Sequence, residues 1–169
     1  MELKQWSFDY AHKIAIFANN SNIADNLRNR FPHPYSKNDA ERFIKHCLET
    51  GGEKELNRAI IVDGVPVGSI SLTAGEDIYS KTAELGYWLA EEYWGRGIAT
   101  NAIKEVCRIS FEYYNITRIQ AVVYFNNRRS CNVLEKCGFT MEGVLRKSVF
   151  KNGQSFDSCM YSLINPSVK

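Results

Sequence analysis

The chain has 169 residues, enough for one domain, residues 1–169, with an apolar core and no need of disulfide or metal staples. With 44% hydrophobic and 24% charged residues its composition is that of an ordinary globular protein, and a net charge of +2 argues against nucleic-acid and anionic-membrane partners. No apolar run approaches the roughly 20 residues that span a bilayer, and Met1-Glu2-Leu3-Lys4-Gln5-Trp6 lacks a signal-peptide layout, so a cytoplasmic location is expected.

In chain order, Leu3 to Phe8 reads as a short strand. Asp9 reads as the cap of a helix from Tyr10 to Asn19, with Ile14 and Phe17 on one face. Asn22 to Arg28 is a weaker helical piece, and the prolines of Phe31-Pro32-His33-Pro34-Tyr35 demand an extended loop. Ser36 caps a helix to Glu49 carrying Ala40, Phe43, Ile44 and Cys47 at helical spacing, and Gly51-Gly52 ends it. Ala59–Val62 and Val65–Leu72 flank the hairpin signal Asp63-Gly64, and Thr82–Leu89 is a third strand. From Ile98 to Tyr114 the residues Ile98, Ala102, Val106, Ile109 and Tyr113 predict a long amphipathic helix. Arg118–Tyr124 is a strand, Ser130–Lys136 a short helix stopped by Gly138, and Phe139–Phe150 with Ser155–Leu163 a closing antiparallel pair. A middle meander followed by alternating strands and helices predicts a mixed α/β single sheet.

Cys47, Cys107, Cys131, Cys137 and Cys159 are odd in number, form no CxxC, and none is matched to a histidine at zinc-ligand spacing. Free buried thiols in a reducing compartment are expected. His12, His33 and His46 are scattered, so no metal is expected.

The most informative stretch is Glu91-Glu92-Tyr93-Trp94-Gly95-Arg96-Gly97-Ile98-Ala99-Thr100, between a strand and the long helix. Gly95 and Gly97 allow a tight turn with no Cβ to obstruct a ligand. The first helical turn then offers unpaired N–H groups at the positive end of the dipole, a site suited to a diphosphate. Arg96 and the Thr100 hydroxyl can add contacts. Taken alone, Gly-x-Gly is equally compatible with a plain strand-to-helix loop. It is neither a Walker A loop nor a dinucleotide fingerprint.

The stretch resembles the acyl-CoA-binding motif of the GNAT acetyltransferase superfamily, Gln/Arg-x-x-Gly-x-Gly/Ala, with Gly97 and Ala99 at its last two fixed positions. Trp94 stands at the first, a departure that leaves the diphosphate one side-chain contact short; a Trp-Gly-x-Gly form is expected of the RimJ/RimL-like branch, the ribosomal-protein N-terminal acetyltransferases. A second segment agrees: Asn127-Arg128-Arg129-Ser130-Cys131-Asn132-Val133-Leu134-Glu135-Lys136-Cys137-Gly138-Phe139 is similar to the family's Asn-x-x-Ser…Glu-Lys-x-Gly-Phe. Seen locally, it is also a capped short helix ending at a glycine. Phe31-Pro32-His33-Pro34-Tyr35, Ala83-Glu84-Leu85-Gly86-Tyr87-Trp88-Leu89 and Glu142-Gly143-Val144-Leu145-Arg146 extend the likeness over nearly the whole chain.

The resemblance implies a GNAT-like acyl-CoA N-acyltransferase fold, a mostly antiparallel central sheet with splayed strands flanked by helices. It also implies acetyl-CoA as cosubstrate and direct acetyl transfer to an amine in a ternary complex. Pantetheine is then expected along Tyr87, Trp88 and Leu89, with a backbone N–H near Leu89 polarising the thioester. The diphosphate is expected on Trp94, Gly95, Arg96, Gly97, Ile98, Ala99 and Thr100. Glu84 shares a strand face with Gly86 and Trp88 and is the candidate base, directly or through water; a solvated or salt-bridged carboxylate is the alternative. The tyrosine acid that many members carry in the second motif is replaced by Leu134, which leaves Ser130 as candidate acid, helix cap or CoA contact, and Asn127 as a partner of pantetheine or of that network.

An α-amine near pKa 7.7–8.0 is on the order of a tenth free base at pH 7, whereas lysine near 10.4 is far less so, which favours a peptide or protein N-terminus. Arg28, Arg30 and His33 can meet an acidic substrate or stay solvated, and Asp157 can order an amine or satisfy its hairpin. A small-molecule acceptor (polyamine, amino sugar or antibiotic) and a non-catalytic CoA- or nucleotide-binding module are the other readings. Homodimers are common among the resembled proteins, and no residue pattern here decides the oligomeric state.

Overall fold

The computed structural model describes residues 1–52 and 55–167. One seven-stranded sheet holds β1 (Glu2–Lys4), β2 (Glu55–Val62), β3 (Val65–Ala74), β4 (Thr82–Leu89), β5 (Arg118–Tyr124), β6 (Thr140–Lys151) and β7 (Gln154–Ile164), in the order β1-β2-β3-β4-β5-β7-β6. Every pairing is antiparallel except β4 with β5, which α4 (Ile98–Tyr113) connects. The mixed, mostly antiparallel sheet agrees with the expectation.

The hairpins follow their turn residues. Asp63 and Gly64 have φ of 50° and 79°, and Asn152 and Gly153 have 51° and 77°, the left-handed pairs that two-residue hairpin loops require. α3 (Lys37–Thr50) starts on Ser36 and closes with Gly51. α1 (Ala11–Ala18), α2 (Ser21–Ala24) and α3 cover one sheet face, where Ile14, Ala40, Ile44 and Trp6 meet Ala59, Ile61 and Trp88. α4 and α5 (Arg128–Lys136) cover the other, where Ile103, Val106 and Leu134 pack on Ile60, Val67, Ile70, Leu85 and Ile119. Ile60 and Ile61 thus face opposite cores, as strand alternation demands.

Several boundaries differ from expectation. β1 ends at Lys4, not Phe8, because the Ser7 hydroxyl accepts the Asp9 N–H and starts a 3-10 turn over Phe8–Tyr10. Ser7 therefore takes the capping role expected of Asp9, and α1 begins only at Ala11. The piece expected over Asn22–Arg28 is the single turn Ser21–Ala24, capped by Asn20. β2 extends back to Glu55 because its partner β3 runs on to Ala74. The buried stripe of α4 is centred on Ala102, Ile103, Val106 and Cys107, so Ile109 lies at its margin and Tyr113, the last helical residue, is exposed. All five cysteines are free thiols; burial pushes those of Cys47 and Cys107 up to about 12, where they are inert. Among the described residues no helix is long and apolar enough to cross a membrane.

Candidate active site

β4 pairs with β3 along its whole length, from Ala74↔Ala83 to Gly68↔Leu89. With β5 it pairs only over Thr82↔Arg118, Ala83↔Ile119 and Glu84↔Gln120, and then the strands part. Antiparallel ladders alternate bonded and non-bonded pairs. The Ala90 N–H donates to Val67 O and the Gly75 N–H to Thr82 O, so even-numbered residues of β4 spend their backbone groups on β3. The main-chain groups of Tyr87 and Leu89 consequently face the gap. A continuous cleft of about 2370 Å³ opens there and reaches both sheet faces.

The turn after β4 is built from positive-φ glycines, Gly95 at 73° and Gly97 at 75°. Gly97 is the N-cap of α4 and gives it no side-chain hydrogen bond, and the first turn holds no acidic residue. The first amide in the backbone ladder with Gly97 O is that of Asn101, at 3.0 Å, so the N–H groups of Ile98, Ala99 and Thr100 precede the helical pattern. A Cβ on Gly95 or Gly97 would meet nothing within 4 Å. The protein does not fill the space above these amides, and the cleft does.

Trp94, Gly95, Gly97, Ile98, Ala99 and Thr100 all line the cleft. Arg96 is not among its lining residues; its guanidinium lies over the Tyr93 ring, 5.1 Å from the centroid. The Trp94 indole N–H donates to Leu89 O at 2.8 Å, and Arg129 of α5 lies 4.8 Å over its ring. Trp94 therefore ties the end of β4 to the turn and to α5, and its only donor is already engaged. Because Leu89 O is taken, the group Leu89 offers the gap is its N–H.

Asn127 caps α5, accepting the Ser130 N–H on Oδ1 at 3.2 Å. The Ser130 hydroxyl meets the Tyr87 hydroxyl at 2.6 Å. Burial pushes the Tyr87 phenol up to about 12, with the Ser130 hydrogen bond acting the other way. Tyr87 is expected for its backbone; the contact of its side chain with Ser130 is not legible from sequence spacing, since the partner lies 43 residues on. Leu134 is 0% exposed in the core and presents nothing to the cleft.

Glu84 faces the α1–α3 side and pairs with Arg28, with side-chain exposures of 40% and 61%. The desolvated carboxylate expected at this position is thus a partly exposed, ion-paired one. The segment bearing Arg28 is pinned by β5 and β6: the Tyr124 hydroxyl donates to Leu27 O at 3.1 Å and Lys151 Nζ to the same oxygen at 3.0 Å. Phe31 packs on Tyr35 and Trp88, with centroids 4.9 and 5.8 Å apart, making an aromatic wall. Arg30 lines the cleft. Asp157 accepts the Lys147 N–H at 2.8 Å, a hairpin contact. His33 is not among the cleft-lining residues.

A sheet that opens at the strand feeding a glycine-opened, uncapped helix defines an acyl-CoA N-acyltransferase architecture. Residues 1–140 match the family model described as "Acetyltransferase (GNAT) domain". The chain belongs to the GNAT acetyltransferase family, whose reaction is N-acetylation with acetyl-CoA as cosubstrate. It is similar to the uncharacterized N-acetyltransferase YoaA of Bacillus subtilis, 38% identical over 126 residues, which are 75% of this chain and 65%, just under two thirds, of YoaA. The putative ribosomal N-acetyltransferase YdaF of the same organism is 31% identical over 152 residues, 90% of this chain and 76% of YdaF. The solved structure of microcin C7 self immunity acetyltransferase MccE, in complex with acetyl-CoA and AMP, matches with a TM-score of 0.86 at 29% identity, over 96% of this chain and 91% of that one. Further relatives carry the names of ribosomal-protein-serine and spermidine acetyltransferases.

Proposed function

We propose that this chain, 1–169 acting as one cytoplasmic domain, moves acetyl from acetyl-CoA to the α-amine of a peptide or protein N-terminus in a ternary complex. The observation that carries the donor half is the parting of β4 from β5 immediately before an uncapped α4. The diphosphate then sits on the amides of Ile98, Ala99 and Thr100 with the turn Gly95–Gly97 around it, each dipole interaction contributing about 0.3–1 kcal/mol. Pantetheine runs along Tyr87 to Leu89 as an extra strand, and the Leu89 N–H polarises the thioester oxygen.

The amine nitrogen forms the new C–N bond as the C–S bond breaks. An ammonium substrate gives up two protons in all, one to solvent and one that ends on the CoA sulfur. Glu84 accepts the amine's proton through water once the acceptor displaces Arg28. Ser130 donates a hydrogen bond to the leaving sulfur, and Asn127 fixes Ser130 at the start of α5.

The acceptor half is supported by charge. The acids lining the cleft are Asp39, Glu55, Glu84 and Glu91. Asp39 is paired with Arg42 and Glu84 with Arg28, while Glu55 accepts from the Thr73 hydroxyl with His46 4.0 Å away, and Glu91 accepts from the Asn20 and Asn22 amides. Among the described residues two of these four acids are thus neutralised by arginines, and the aromatic wall of Phe31, Tyr35 and Trp88, with Arg28 and Arg30 in the same cleft, suits a peptide N-terminus with acidic residues. YdaF, named as a putative ribosomal acetyltransferase, points the same way.

The test is thiol release from acetyl-CoA with free-amine peptides, N-blocked peptides, spermidine and amino sugars. Turnover on free-amine peptides alone is expected. Turnover on spermidine or an amino sugar alone would replace the acceptor assignment, and CoA binding without turnover on any acceptor would make the chain a binding module.

A further inference from the structure

With Leu134 buried where many members carry a tyrosine, the departing sulfur must find its hydrogen-bond donor elsewhere. We infer that Tyr87 is a positioning residue whose hydroxyl, by donating to Ser130 Oγ, turns the Ser130 proton into the cleft toward the sulfur. This rests on the assignment of Ser130 as the donor to the leaving group.

The direction of the bond follows from what each group has available. Each hydroxyl carries one proton, and 2.6 Å is a full hydrogen bond. Tyr87 sits inside the core side of the cleft, packed against the main apolar cluster, and Ser130 is the one partner recorded for its hydroxyl among the described residues. Tyr87 is half-buried and lines the cleft; of the two hydroxyls its phenol is the more acidic and so the stronger donor, and the aliphatic hydroxyl of Ser130 the better acceptor. Tyr87 therefore donates and Ser130 accepts. While one lone pair accepts from Tyr87 and its main-chain N–H is held by Asn127, Ser130 keeps its own O–H to turn into the cleft.

The same geometry says what Tyr87 does not do. Burial holds its phenol at about 12, so full transfer to a thiolate of ordinary thiol pKa, about 8.5, is uphill by on the order of a thousandfold. No proton leaves Tyr87. It orients and polarises the Ser130 O–H, and the sulfur collects its proton from the pool released by the amine. Residue 87 thus acts twice: its backbone lines the gap where pantetheine runs, and its side chain sets the hydroxyl at that gap's far wall.

The experiment is steady-state kinetics on Tyr87→Phe, Ser130→Ala and the double variant, with CoA affinity by calorimetry and melting temperatures as controls. Both single changes should lower kcat about tenfold or more, the scale of one oriented hydrogen bond, and leave CoA affinity within about twofold. The double variant should be no slower than Ser130→Ala alone, because Tyr87 acts only through Ser130. Losses that multiply, or a Tyr87→Phe enzyme with normal kcat beside an impaired Ser130→Ala, would overturn the inference and leave Ser130 in place. Normal turnover in Ser130→Ala would instead remove Ser130, and Tyr87's role with it. Should Tyr87→Phe fail to fold, Ser130→Thr gives the second reading: the retained hydroxyl, still met by Tyr87, should restore kcat to within a few-fold of the parent, and a loss equal to that of Ser130→Ala would contradict the inference.

Discussion

α3 and α4 begin in opposite ways. At α3 the Ser36 hydroxyl accepts the Asp39 N–H and the Asp39 carboxylate accepts the Ser36 N–H, and Arg42 closes on the same carboxylate. The hydrogen bonds from Ser36 and the Arg42 charge hold the Asp39 carboxyl below the usual carboxylate range, so the positive helix end meets a permanent negative charge. At α4 a left-handed glycine leads into Ile98-Ala99-Thr100 with no side-chain cap and no acid in the first turn. One helix satisfies its first amides with its own side chains, and the other leaves them open to the cleft, where we place the diphosphate. Side chains cap α3, α5 and even the single turn of α2, and α1, without a side-chain cap of its own, continues directly from the 3-10 turn Phe8–Tyr10; the start of α4 instead opens on the cleft.

The largest expected effect breaks the open start. Gly97→Trp places a ring over the bare amides and should weaken CoA binding by about a hundredfold or more, some 2.7 kcal/mol, by calorimetry. An unchanged affinity would mean the diphosphate lies elsewhere. Smaller, and at the closed start, Ser36→Ala should lower unfolding free energy by about 1 kcal/mol while CoA affinity stays within about twofold. A coupled loss of affinity would deny that the two starts do separate work.

The smallest effect lies far from both. Arg118 of β5 and Glu142 of β6 pair across β7 at 2.6 and 2.7 Å, with the Ser162 hydroxyl on the same carboxylate. These hydrogen bonds hold the Glu142 carboxyl down at about 2, below the ordinary glutamate value near 4.3. A lowered folded-state value stabilises above the unfolded value and is lost as pH falls toward 2. Glu142→Gln should therefore flatten the decline in denaturant midpoint between roughly pH 5 and pH 2. At neutral pH it should cost no more than about 1 kcal/mol, because the carboxylate is partly exposed. An unaltered acid limb would show that other carboxylates dominate it.

What the sequence made legible is what is local. Asp63-Gly64, the cap at Ser36, the bounds of β4 and β5, and the glycine turn into α4 each carry their signal within a few residues. The split of β4 from β5 came only through family resemblance, because no residue in either strand encodes where pairing stops. Contacts between distant segments were illegible for a related reason: Arg28 meets Glu84 across 56 residues and Leu27 O meets Lys151 across 124. Their side chains are ordinary solvated types, and only the folded sheet brings them together. Trp94 shows the same limit, since its departure from the family motif reads as a lost phosphate contact until the indole is found bonded to Leu89 O.

The most direct measurement of the central claim is the backbone amide spectrum of the protein titrated with coenzyme A. The amides of Ile98, Ala99 and Thr100 should shift strongly and gain protection from exchange, while those of Lys37, Asn38 and Asp39 stay still. Shifts of equal size at both helix starts, or none at Ile98 to Thr100 under saturating coenzyme A, would contradict it.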